Sequence, residues 1–284
     1  MQRDYSASLI SGNLARTYVV HLPLNYEPGR PVPLVLMFHG GGGAGRIMHR
    51  LTGMNALADQ QHFLVVYPDG WQRRWADGRG TTPPDREGID DVAFISALIE
   101  TLATQFTLDP RRIYAAGISN GGFFSFRLGC LLSDKIAAIA TVAATLPANL
   151  ATNHPARRPV PLLFVHGTAD AIVPAAGGMM RLGAGGHILS TTETAAFWAG
   201  RNGCAGGPVT ENPPLLVDDG THVQRTIYTD CAQNASVVFY NVINGGHTWP
   251  GGRQYAPVRA VGKTTRNLDA TTLIWDFFKT HPMR

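Results

Sequence analysis

Apolar residues along this chain follow two rhythms. One is a short continuous run: RTYVVHLP (16–23), PLVLMFHG (33–40), HFLVVYPDG (62–70), RRIYAAGIS (111–119), IAAIATVA (136–143), VPLLFVHG (160–167) and SVVFYNVI (236–243). Runs of this length predict strands, and where they are unbroken by polar residues they predict a sheet covered on both faces. The other rhythm is amphipathic. RIMHRLTGMNALADQQ, DDVAFISALIETLATQF, GGFFSFRLGCLL and STTETAAFWAGRN lie between the runs, and LDATTLIWDFFKTH closes the series with Leu268, Leu273, Ile274, Phe277 and Phe278 near one helical face. Strands alternating with helices predict the α/β class, with a mostly parallel sheet flanked by helices on both sides. WQRRWADGRGTTPPDREG (71–88) and residues 203–222 read as the longest loops.

Composition narrows the classes. With 44% hydrophobic and 15% charged residues the chain is ordinary for a globular protein, and 284 residues suffice for one domain, expected to span 1–284. There is no internal repeat, low-complexity tract or Pro/Ser-rich linker. The net charge of +4 comes from scattered Lys and Arg, so no nucleic-acid partner is expected. No window approaches the apolar length of a membrane span, and the first residues lack the charged-then-apolar pattern of a signal peptide. Cys130 sits in an apolar helical stretch, whereas Cys204 (RNGCAGG) and Cys231 (YTDCAQN) sit in polar, turn-like ones. The latter two are a candidate disulfide, which would fit an oxidising compartment; two unpaired thiols are the alternative.

In an open parallel sheet, function gathers beyond the carboxyl ends of the strands. The predicted ends carry Gly40–Gly43, Ser119, Asp170 and, after a Gly-Gly turn, His247, all on the same rim. GISNG places Ser119 between a strand and a helix, the context of a nucleophile elbow: a strained turn exposes the hydroxyl, and the N–H of Asn120 points at a developing oxyanion. A serine hydroxyl needs a base. Asp170, directly after a strand in HGTAD, is the candidate orienting carboxylate; His247 in GGHTWPGG is the candidate base, taking the Ser119 proton and later delivering it to the leaving alcohol. HGGGGAG supplies a second oxyanion donor from Gly41 or Gly42, between which the sequence does not choose. A nucleotide loop is a poor reading, since no Gly-Lys-Ser/Thr follows.

His39 and His166 read as supports of their loops, and Asp90 and Asp91 as caps of the helix that follows. Trp249, Trp71 and Trp75 are candidate walls of a substrate pocket, with packing as the alternative. No HExxH-like spacing is present, so neither metal nor other cofactor is expected.

The ordered set HGGGG, VVYPDG, WADGRG, IDDVAF, GISNGG, HGTAD and GGHTWPGG, from about residue 16 to the C-terminus, resembles the α/β-hydrolase family of polyhydroxybutyrate depolymerases and bacterial feruloyl esterases. The resemblance implies the α/β-hydrolase fold, Ser119, Asp170 and His247 as a catalytic triad, and an oxyanion hole from the HGGGG loop plus Asn120. Members are typically secreted, which extends to a secreted or periplasmic expectation here. The expected activity is serine carboxylic-ester hydrolysis through an acyl-enzyme on a small-molecule or oligomeric ester. Feruloyl or cinnamoyl esters lead, ahead of hydroxybutyrate or other polyester oligomers and short acyl or acetyl esters. A catalytically silent binding module is the non-enzyme alternative, and all three triad residue types being present speaks against it. A serine peptidase would need more chain than the 16 residues between IAAIATVA and VPLLFVHG.

Overall fold

The structure is a computed structural model and describes residues 3–153, 157–180 and 182–284. Its frame is a ten-stranded sheet. Seven of the strands are those expected from the apolar runs: β2 (Leu14–His21), β3 (Val32–Phe38), β4 (Leu64–Pro68), β5 (Leu108–Ile118), β6 (Ala138–Val142), β7 (Leu162–Gly167) and β12 (Val237–Ile243). The remaining three are β1 (Asp4–Ser11), β10 (Gly206–Glu211) and β11 (His222–Thr229), while β8 (Gly178–Met179) and β9 (His187–Ile188) form a separate small ribbon. The order is β1-β2-β4-β3-β5-β6-β7-β12-β11-β10, parallel from β4 to β12 and antiparallel at both margins.

The parallel centre is buried on both faces, as the unalternating runs required. Along β3, Leu34, Leu36 and Phe38 join one core with Phe94, Ile95 and Leu98 of the helix Asp91–Gln105 and Phe124 of the helix Asn120–Leu131. Val35 and Met37 face the opposite core, shared with Met48, Met54 and Ile274, Phe277 and Phe278 of the helix Ala270–Lys279. The amphipathic stretch 46–61 is two helices rather than one, Gly45–Thr52 and Met54–Gln61. They break at Gly53, whose φ of 66° is left-handed and costs glycine little.

The margins depart from expectation. Residues 203–222 were expected to be loop, yet Gly206–Glu211 pairs with β11 as an outer strand. Its side chains are nearly all exposed, so it carries no apolar run to reveal it. β1 is similar: its alternating half-exposed pattern reflects a margin strand with one face toward water. Segment 71–88 is largely irregular, as expected, with a short helix Pro83–Arg86 capped by Thr82. No described helix is long and apolar enough to cross a membrane.

Candidate active site

β5 ends at Ile118, and Ser119 turns the chain straight into the helix Asn120–Leu131. Ser119 has φ 55° and ψ −122°, a strained backbone for a non-glycine residue. The turn is anchored by Ser119 N–H donating to Val142 O (2.9 Å) and Phe123 N–H donating to Ser119 O (2.9 Å). Its tightness explains the glycines beside it. A Cβ on Gly117 would stand 2.5 Å from the Gly121 carbonyl carbon, and one on Gly121 would stand 2.3 Å from Phe38 O.

Asp170 follows β7 and is buried. Its Oδ1 accepts from the N–H groups of Ile172 (2.9 Å) and Val173 (2.8 Å), and its Oδ2 meets His247 Nδ1 at 2.7 Å. This arrangement fixes the proton on Nδ1 and leaves Nε2 as the acceptor. His247 is held by its backbone as well: its N–H donates to Val261 O (2.6 Å), and the Tyr255 hydroxyl donates to its carbonyl (2.7 Å). Burial, with Asp170 nearby, pushes the Tyr255 phenol up to about 12, so it stays a donor at neutral pH.

Ser119 and His247 line one cavity of about 770 Å³ together with Gly40, Gly41, Asn120 and Phe123. The sequence left Gly41 and Gly42 as equal candidates, and the structure separates them. Gly42 is turned away with φ 78°, and its N–H is taken by Arg73 O at 2.8 Å, so Gly42 is withdrawn as a donor. The N–H groups of Gly41 and Asn120 have no partner among the described residues, and the Gly41 Cβ direction points to within 3.7 Å of Asn120 Cβ.

The pocket tryptophans require correction: none of Trp71, Trp75 and Trp249 lines this cavity. Trp75 is fully buried, stacked on Phe124 (4.9 Å between centroids) with its indole N–H donating to His39 O (3.0 Å). Trp249 is buried against the second core, donating to Thr271 Oγ1 (2.9 Å). Trp71 begins a short turn of helix, half-buried away from the cavity. A large ring close in sequence to the rim was thus spent on packing.

His39 accepts Gly70 N–H on Nε2 (3.0 Å) and meets Gly40 O through Nδ1 (2.8 Å), so it is a neutral imidazole bracing the glycine loop; burial lowers its pKa. His166 donates from Nε2 to Val173 O (2.9 Å), and its pKa is also lowered by burial. At 3.9 Å from Asp170 it is too far to hydrogen-bond that carboxylate. Both are loop supports, as expected. Asp90 caps its helix by accepting Ala93 N–H (2.9 Å). Asp91 does not cap the helix as expected: it is the helix's first residue, buried, and its carboxylate is taken by Arg16 (2.6 Å) and by Ala76 N–H (2.7 Å).

Sequence reasoning missed a polar network behind the elbow. The Asn120 side chain accepts Trp75 N–H (2.8 Å) and donates to Trp75 O (3.1 Å) and Asp77 Oδ2 (2.6 Å). Asp77 is buried against Arg79 (2.8 Å); burial pushes its carboxyl pKa up against the pull of that guanidinium. WADGRG contained the signal, but a short loop motif does not say which side chains turn inward. Among the described residues, no group of three or more His, Cys, Asp or Glu side chains is placed to hold a metal ion.

The family profile described as "Esterase PHB depolymerase" matches residues 16–146. Over 268 residues the chain is 32% identical to "Putative esterase NocK" of Nocardia uniformis subsp. tsuyamanensis, covering 89% of this chain and 77% of that protein. The chain belongs to the esterase PHB depolymerase family. This family member is also 27% identical over 269 residues to "Feruloyl esterase C" of Emericella nidulans, covering 93% and 83% of the two chains. Among solved structures, an acetyl xylan esterase from Aspergillus awamori superposes with a TM-score of 0.60 at 14% identity, over 86% of this chain and 94% of that one. The fold is that of the α/β-hydrolase esterases, and the protein is a carboxylic-ester hydrolase.

Proposed function

We propose that Ser119, His247 and Asp170 are the catalytic triad of this esterase, working through an acyl-enzyme. Ser119 Oγ attacks the ester carbonyl carbon while His247 Nε2 takes its proton, and the N–H groups of Gly41 and Asn120 bind the tetrahedral oxyanion. Collapse expels the alcohol with the proton from His247. Water, activated by the same imidazole, then releases the acid and frees Ser119. Asp170 holds the tautomer and stabilises the imidazolium. The observation that carries this reading is a strained serine at the head of a helix, sharing a cavity with a histidine whose other nitrogen is locked by a buried carboxylate.

The substrate we favour is an ester of an aromatic acid of the feruloyl or cinnamoyl type. A cavity of about 770 Å³ is far larger than an acetyl group needs, and part of its lining is apolar, with Phe123, Ile172 and Met180. The relatives named feruloyl esterase support the same class. Residues 1–284 are read as one catalytic domain. The bond between Cys204 and Cys231, with Cys130 buried and free, supports a secreted or periplasmic site of action.

The test is a panel of methyl ferulate, a hydroxybutyrate oligomer, p-nitrophenyl acetate and p-nitrophenyl butyrate, run with wild type and Ser119→Ala. Activity is expected to vanish in the variant, and kcat/KM to be highest for methyl ferulate. Undiminished turnover in Ser119→Ala sinks the triad; a best rate on the hydroxybutyrate oligomer moves the substrate to polyesters.

A further inference from the structure

We infer that the cavity selects esters carrying a free carboxylate, recognised by Arg50, Arg74 and Arg253. The inference rests on the ester-hydrolase reading above and deepens it. Among the described residues, four arginines line the cavity, Arg50, Arg74, Arg79 and Arg253, and no Asp or Glu does. Arg79 is already neutralised: it pairs with Asp77, donates to Gly183 O (3.0 Å) and Gly185 O (2.7 Å), and lies over the Phe123 ring. The side chains of the other three form no ion pair or hydrogen bond with any described residue. A guanidinium remains charged at every relevant pH, and three of them around a concave site draw in anions.

Their placement is not diffuse. Arg74 stands beside the glycine loop, with Nη1 3.4 Å from where a Gly41 Cβ would be. Arg50 lies on the cavity side of the helix Gly45–Thr52, near its end. The chain at Gly252 packs there, since a Cβ on Gly252 would stand 3.0 Å from Leu51 O; Arg253, the next residue, therefore shares that end. Another part of the lining is apolar: Phe123 and Met180 belong to one buried cluster and Ile172 packs against it. A substrate at Ser119 thus shares its cavity with apolar side chains and with cations that have no described partner. An arginine fork matches the two oxygens of a carboxylate. With an aromatic acid held by Phe123, Ile172 and Met180, the carboxylate falls on the alcohol portion, as in an ester of an acidic saccharide; a half-ester of a dicarboxylic acid would present the same group from the acyl side.

Two matched pairs test this and separate the sources: 3-acetoxypropanoate against 3-acetoxypropanamide for the alcohol side, and monomethyl glutarate against its monoamide for the acyl side. At neutral pH and low salt, kcat/KM is expected to favour the carboxylate on the order of tenfold in at least one pair. That ratio is expected to fall toward one in Arg50→Gln/Arg74→Gln/Arg253→Gln, and in wild type as added salt screens the charges. Arg50 and Arg253 are exposed, so the pair Arg50→Gln and Arg253→Gln provides a second variant with little folding burden. Ratios near one in both pairs, with Ser119-dependent hydrolysis of the amides intact, overturn the carboxylate inference alone. A preference undiminished in both variants overturns it as well. Absence of Ser119-dependent hydrolysis of every ester tested overturns it together with the reading on which it rests.

Discussion

Replacing Asp170 with asparagine separates a catalytic carboxylate from a structural one. Asp170 does two jobs with two oxygens: Oδ1 closes the turn by accepting from the N–H groups of Ile172 and Val173, and Oδ2 faces His247 Nδ1 at 2.7 Å. Asparagine is nearly isosteric, and its carbonyl oxygen keeps both turn bonds. Its NH₂ group then faces His247, where it can only donate. Nδ1 must become the acceptor, so the proton moves to Nε2, the nitrogen that has to take the Ser119 proton. The base is thereby held in the wrong tautomer, with the backbone undisturbed.

Loss of the correct tautomer in a serine triad costs about 10⁴ in kcat, or roughly 5.5 kcal/mol at about 1.4 kcal/mol per decade. The structural loss is much smaller, one charge-assisted hydrogen bond exchanged for a neutral one, on the order of 1 kcal/mol. The assay is kcat and KM on p-nitrophenyl acetate at neutral pH, paired with urea unfolding of the same preparations. The expected result is a collapse of kcat, KM within a few-fold of wild type, and near-native stability. A kcat within tenfold of wild type in a folded Asp170→Asn protein would refute the reasoning and leave Asp170 as a turn cap.

Other consequences follow from burial and connectivity. His166 is buried neutral with a lowered pKa, so the unfolded chain binds its proton first; stability is full above about pH 6.5 and falls as the solution is acidified, by up to ~1.4 kcal/mol per pH unit for that one group. Urea unfolding between about pH 7.5 and 5.5 is expected to show a shallower decline in His166→Gln, and equal slopes would count against a buried neutral imidazole. The Cys204 to Cys231 bond closes a separation of 27 residues, for which chain entropy gives about 3.5 kcal/mol. Cys204→Ser/Cys231→Ser should lose stability of that order in non-reducing urea, and an unchanged midpoint would mean the thiols are not joined in solution.

The pattern of apolar runs was legible wherever the sheet is buried on both faces, because continuous burial leaves no room for polar alternation. It failed at the margins, where Gly206–Glu211 pairs on one side only and its nearly fully exposed side chains leave no apolar signal. Ser119, Asp170 and His247 were legible as candidates because chain order and strand ends confine them, and the structure pairs Asp170 with His247 and lines one cavity with His247 and Ser119. Withdrawing Gly42 was not, since it depends on a single carbonyl, Arg73 O, taking one N–H. The tryptophans misled for a related reason: sequence gives nearness to a loop but not the side of the backbone to which a ring turns. Arg50, Arg74 and Arg253 come from three separate segments and share no spacing, so only the folded cavity brings them together.

The longest irregular stretch near the site turns out to fasten its parts. Asp69 accepts Gly45 N–H (2.7 Å), Gly70 N–H donates to His39, and Arg73 O takes the Gly42 N–H, so this stretch fixes the glycine loop from below. A few residues on, Trp75 donates to His39 O and both donates to and accepts from the Asn120 side chain, while Ala76 N–H is held by Asp91. One segment therefore ties the glycine loop carrying Gly41 to the elbow carrying Asn120, and its far side rests on the buried Arg16–Asp91 pair. Two donors that must converge on one oxyanion gain most when their spacing is set before the charge develops, because no reorganisation is then left for the transition state. A segment with few repeating backbone bonds can do this only if its polar groups are satisfied one by one by fixed side chains. This is why 69–79 combines an irregular backbone with buried Trp75, Asp77 and Arg79, and why a stretch that sequence alone marks as loop behaves as part of the core.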